Sequence, residues 1–157
     1  MPNPEEGNPP LFLQGTGADA REVSVVPAVD RHALAHVFKV TVDPYVGKLG
    51  VFRIHQGRIG KDSQLFVGDA RRAFKVAHLY RVQGKDLVET DVLLPGEVGA
   101  LAKLDELTFD SVLHDSHDED HIHLKATSFP AAMYGLAITP QRKGDRKSTR
   151  LNSSHLV

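Results

Sequence analysis

Asp43-Pro44-Tyr45-Val46-Gly47-Lys48 separates two apolar segments, Ala33 to Val42 upstream and Leu49 to His55 downstream. Pro44 holds φ near the value a turn needs after Asp, and Gly47 is free to take the positive φ that closes the loop. In the upstream segment Leu34, His36, Phe38, Val40 and Val42 alternate on one face; in the return segment Phe52 and Ile54 do the same. Alternation on both sides of a Pro/Gly turn is the pattern of a β-hairpin.

Working outward, the same signals recur. Gln64-Leu65-Phe66-Val67 precedes the turn Gly68-Asp69, and Phe74, Val76, His78, Tyr80 and Val82 share a face in the next segment. Gly84-Lys85-Asp86 then turns into Leu87-Val88-Glu89, and Pro95-Gly96 precedes Glu97 to Leu104. Ser111-Val112-Leu113 and His121-Ile122-His123-Leu124 complete the set. Short strands at this spacing predict an all-β domain, a sandwich or a closed barrel, and closure would remove exposed sheet edges. No sustained stretch has helical periodicity.

Composition narrows the function classes. The 157 residues carry a formal net charge of −1, with no Cys, so a disulfide framework and a thiolate metal site are excluded. The first twenty residues hold no Lys or Arg and no long apolar run, unlike a secretory signal. No segment approaches the roughly 18 apolar residues of a membrane span, so no membrane partner is expected. The charge is unevenly laid out. From Arg58 to Lys85 seven basic residues face only Asp62 and Asp69, whereas Asp105 to Asp120 is acidic throughout. A near-neutral chain of this kind can still present a basic face.

Residues 1–30 are rich in Pro and Gly and read as a linker whose one apolar cluster, Leu11-Phe12-Leu13, is suited to docking on a neighbouring domain. Residues 31–124 read as the β domain. Residues 125–145 read as a further linker and, at Met133 to Pro140, the first strand of another domain. Residues 146–157 have no apolar period and resemble translated sequencing-adaptor sequence, so the native sequence is expected to end near Asp145.

Several motifs in one order resemble elongation factor G. They are Phe38-Lys39, the Asp43-to-Leu49 loop, Phe52-Arg53-Ile54-His55-Gln56-Gly57, Leu79-Tyr80-Arg81, Pro95-Gly96-Glu97, and Phe129-Pro130 followed by Tyr134 to Pro140. The resemblance implies a closed Greek-key β-barrel of the translation-factor type, the second domain of that family, followed by the truncated start of an α+β third domain. It implies a cytoplasmic parent that binds GTP and Mg through a GTPase domain upstream of Met1. It also implies two partners for the barrel: small-subunit ribosomal RNA and the GTPase domain in cis. Lys85-Asp86-Leu87-Val88-Glu89, Gly96-Glu97 and the His-rich stretch after Leu113 depart from the family pattern, as expected of a paralogue.

The chain itself has no GxxxxGK[ST] phosphate loop and no Asn-Lys-x-Asp motif, so no GTP hydrolysis and no cofactor are expected of it. No catalytic residue is assigned; His36 and His78 read as core-edge histidines bonded to backbone or water. The rRNA-binding candidates are Arg81, which the resemblance implies because Leu79-Tyr80-Arg81 matches a Leu-Leu-Arg block of the family, and Lys48, Arg58, Lys61 and Lys85, which rest on loop position and charge. Tyr45 reads as a cover for the barrel end. A second reading makes the chain a stand-alone metal-responsive or protein-binding barrel using His114 to His123, with His121 and His123 on one strand face.

Overall fold

A computed structural model describes residues 10–43, 47–102 and 107–125. All lie in the larger of the two units into which the chain divides, Met1–Ala126. The expected third-domain strand, the tail and Tyr45 fall outside the described residues.

In chain order the strands are β1 (Phe12–Gln14), β2 (Arg21–Val23), β3 (Leu34–Asp43), β4 (Gly47–Gln56), β5 (Ile59–Gly60), β6 (Gln64–Val67) and β7 (Phe74–Lys75). They continue with β8 (Leu79–Gln83), β9 (Asp86–Glu89), β10 (Val92–Leu93), β11 (Val98–Ala102), β12 (Val112–His114) and β13 (Ile122–Leu124). An eight-stranded sheet runs β7-β6-β12-β3-β4-β11-β8-β9. Hairpin pairs β6/β7, β3/β4 and β8/β9 are joined through strands distant in sequence, β12 lying between β6 and β3 and β11 between β4 and β8, as Greek-key connections require. The seam between its end strands is bridged by the β5–β10 ladder, by Asp62 N donating to Val76 O, and by Lys61 N donating to Asp91 O.

The β3–β4 hairpin forms as read. Asp43 pairs with Gly47, and Gly47 adopts φ +84°. Its apolar alternation is more complex than the sequence suggests. A register shift between Val37 and Lys39 puts Ala35 and Val37 into the core on one side and turns Val40 towards it on the other. Phe38 is consequently exposed, although simple alternation groups it with Val40; Val42, at the hairpin end, is exposed as well. Likewise, the single strand expected from Phe74 to Val82 is broken. Residues 76–78 leave the ladder, so Val76 and Leu79 both reach the core while Tyr80 and Val82 pack on the other side of the wall formed by β3, β4 and β11, with Leu49, Val51 and Ala100.

The central core draws Ala35, Val37, Phe52, Ile54, Ile59, Leu65, Leu79, Leu93, Leu101 and Leu113 from eight strands. Contributions from so many strands are what a sheet curled about one core produces. Gly99 makes the packing possible: a Cβ there would lie 2.3 Å from Leu93 Cδ1 and 2.8 Å from Phe52 Cζ.

Within the linker expected over residues 1–30, Phe12 to Val23 contains two paired strands. Strand β1 lies between β13 and β2 in a second, three-stranded sheet, with Phe12 opposite both Leu124 and Val23. Phe12 is fully buried against Leu34, Val112 and Ile122. The apolar cluster thus docks on its own barrel. The strands are too short to show a period, and the partner strand lies at the far end of the domain.

Candidate functional site

The five basic candidates do not converge. Lys48 is near the start of β4, paired with Val42 beside the hairpin loop. Lys85 occupies the β8–β9 turn, beyond the other end of β4, where Arg53 faces Val98. Five residues of strand separate Lys48 from Arg53, about 17 Å. A single phosphate-binding cleft using both is therefore not formed.

Arg81 and Lys61 are engaged within the chain. Arg81 Nη2 lies 3.0 Å from Glu97 Oε1, and the other oxygen of Glu97 accepts from Leu94 N at 2.7 Å. Arg81 thus fastens β8 to the turn before β11. Lys61 Nζ is 3.8 Å from Glu89 Oε1, an oxygen that His78 Nδ1 also approaches at 3.4 Å. Both Lys61 and Glu89 are about half exposed, so this contact is loose and screened.

Arg58 and Lys85 are exposed, with no carboxylate at ion-pair distance among the described residues. The same holds for Arg71 and Arg72, exposed on the loop between β6 and β7. In the sequence this pair stands only as part of a basic run. Its signal is adjacency: two arginines one residue after a Gly-Asp turn, with no further acid beside them in the loop.

The histidines behave differently from expectation. His36 Nε2 lies 2.8 Å from Asp110 Oδ1 and His78 pairs with Glu89, so carboxylates serve both rather than backbone or water. His55 lies against Phe12, ring centroids 5.1 Å apart and nearly edge-on. Burial, with Arg53 and His36 nearby, lowers its pKa from the usual imidazole value to about 4.

In the His-rich segment, His121 and His123 do not form the two-ligand face of a strand. His121 has φ +62° in the turn before β13, and its Nδ1 is 3.0 Å from Asp69 Oδ1. His123 Nδ1 instead lies 3.2 Å from His121 O. Among the described residues no three His, Asp or Glu side chains are grouped to hold a metal ion.

Fold and surface together place the chain in the class of all-β barrel domains with exposed cations on their loops. The family follows from the comparison with known proteins: a model of elongation factor G domain 2 matches residues 32–115, more than half of the 157 residues, and the chain belongs to that family. The chain is thus a translation-factor domain. A crystal structure of a protein from Thermus thermophilus is similar, with 28% identity and a TM-score of 0.60. The match covers 80% of this chain and 18% of that one, so this chain spans less than a fifth of that protein's length.

Proposed function

We propose that this domain is the ribosome-contacting module of an elongation factor G-like translational GTPase, resting on small-subunit rRNA and packing beside the GTPase domain in cis. The family match over residues 32–115 is the observation that carries this reading. The chain has no residues fit to hold GTP or Mg: the phosphate loop is absent from its sequence. Those groups belong to the proposed cytoplasmic parent. The domain's part is to position, and phosphate contacts position without reading sequence.

The ion pairs reorder the candidate residues. Among the described residues Arg58, Arg71, Arg72 and Lys85 have no ion pair to break on meeting phosphates, whereas Arg81 must leave Glu97 and Lys61 must leave Glu89. Lys48 stands at the far end of the wall and serves a separate contact.

Sedimentation of the full chain with small ribosomal subunits over a salt series tests the proposal. Binding is expected to weaken with salt, and removing Arg71 and Arg72 together is expected to lower the log–log salt slope by about 2. Arg81→Ala is expected to act mainly on stability. Salt-independent binding, or binding indifferent to all four free cations, would sink the reading.

A further inference from the structure

Among the described residues two polar side chains are buried, Gln56 and His114, and His114 is the titratable one. Its ring is 1% exposed, with Nε2 2.7 Å from Gly68 O and Nδ1 2.8 Å from Ser116 O. Carbonyl oxygens can only accept. A neutral imidazole has one N–H, so it satisfies one carbonyl and turns a lone pair towards the other. A doubly protonated ring donates to both. Geometry, then, makes the proton count of His114 decide how many of its two contacts are bonds.

Those contacts join separate parts of the fold. Gly68 begins the loop after β6 that carries Arg71 and Arg72; Ser116 precedes the 3-10 turn His117–Glu119. The neighbouring strands present apolar residues to the same place, Leu34 of β3 and Phe66 of β6 lying opposite His114 in register. Phe66 stacks on the His114 ring with centroids 5.6 Å apart.

The charged surroundings are acidic and histidine-based. Asp120 Oδ1 is 3.7 Å from Nε2, and its other oxygen is 3.0 Å from His117 Nδ1. From the β6 side, Asp69 pairs with His121; from the segment before β3, His32 pairs with Asp115, the residue after His114. No Lys or Arg forms an ion pair with these groups among the described residues.

We propose that His114 is a proton-operated clasp: with both nitrogens protonated it ties the Arg71–Arg72 loop to the His-rich turn, and on losing one proton it releases one of the two. No bond other than N–H is made or broken, and the proton passes to solvent. The tie between Asp69 and His121 N, 2.9 Å long, remains at the same junction, so release is local and does not unfold the barrel. The sign is fixed: the clasp is shut on the acidic side and opens as pH rises.

Nitrogen-15 NMR of the imidazoles in the full chain, from about pH 5 to 9, tests this directly, since that range spans ordinary histidine titration. At the acidic end both His114 nitrogens should carry protons. As one is lost, exchange of the amides on the released side, residues 68–73 or residues 117–120, should rise about tenfold relative to those of β3 and β4, after correction for intrinsic rates. His114→Gln should exchange at the open-state rate at every pH; if that variant fails to fold, the wild-type titration decides alone. A ring that stays singly protonated throughout overturns the proposal. So does a ring that titrates, or never titrates, without any step in exchange of either segment, and so does a step that persists in His114→Gln.

Discussion

The wall formed by β3, β4 and β11 and the junction around the His-rich turn belong to one domain, yet they are held by different physics. In the wall, Val37, Phe52, Ile54 and Leu101 are buried in the central core, and Gly99 lets Leu93 and Phe52 close over the backbone. At the junction, His32, His114, His117 and His121 each face a carboxylate. The ion pairs made by Lys61, Lys75 and Arg81 involve none of the junction's carboxylates. Apolar burial is indifferent to pH, whereas a His–carboxylate pair exists as an ion pair only while the imidazole is charged. The difference teaches that acid or base should act on the histidines and leave the apolar core of the wall standing.

The sharpest way to break the contrast is to empty the wall. Phe52→Ala should cost about 3–5 kcal/mol, because a fully buried ring leaves a cavity, and denaturant melts should show it at every pH. A pH-independent loss supports the comparison; a loss confined to acid would contradict it.

Next comes His55, where β4 meets Phe12 of the small sheet. Its pKa of about 4 lies below the unfolded value of 6.5, so the unfolded chain takes the proton first. The stabilisation is full above pH 6.5, declines as pH falls towards 4, and has gone below that. Some solvent reaches the ring, so at most about 3 kcal/mol is at stake. His55→Leu should flatten melting free energy against pH across that window; an unchanged slope would assign it to other groups.

Gly99→Ala should cost about 1–3 kcal/mol by crowding Leu93 and Phe52, again without pH dependence. The smallest effect is expected from Lys75→Ala. Its pair with Asp62, 3.0 Å long, is two-thirds exposed on both sides, so thermal melts should move by less than about 0.5 kcal/mol. A larger loss would mean that surface pairs do more here than the comparison allows.

The sequence carried the hairpin, most other strands and the family, because turn residues and alternation are local signals. Three features were not legible. The register shift near Phe38 leaves no mark in composition, yet it reverses which residues face inward. Likewise, β1 and β2 are three residues each, and β1, which holds β2, is itself paired with β13 at the other end of the domain. Among the candidate residues, charge could be read but not its use. Glu97 and Glu89 reach Arg81 and Lys61 only through the sheet's pairing, and nothing beside either cation in the chain announces that partner. The same limit hid His114, whose two carbonyls come from a loop at Gly68 and a turn at Ser116.

The pairing of β1 with β13 has a mechanical consequence. Phe12 faces Leu124, and Lys125 N donates to Leu11 O at 3.0 Å, so the chain enters and leaves this domain side by side. The two strands run antiparallel. Tension that draws Leu11 and Lys125 apart therefore loads their hydrogen bonds one after another, as in a zip, and never all together in shear. Under such a pull the small sheet yields first, at low force, while the barrel behind it stays whole.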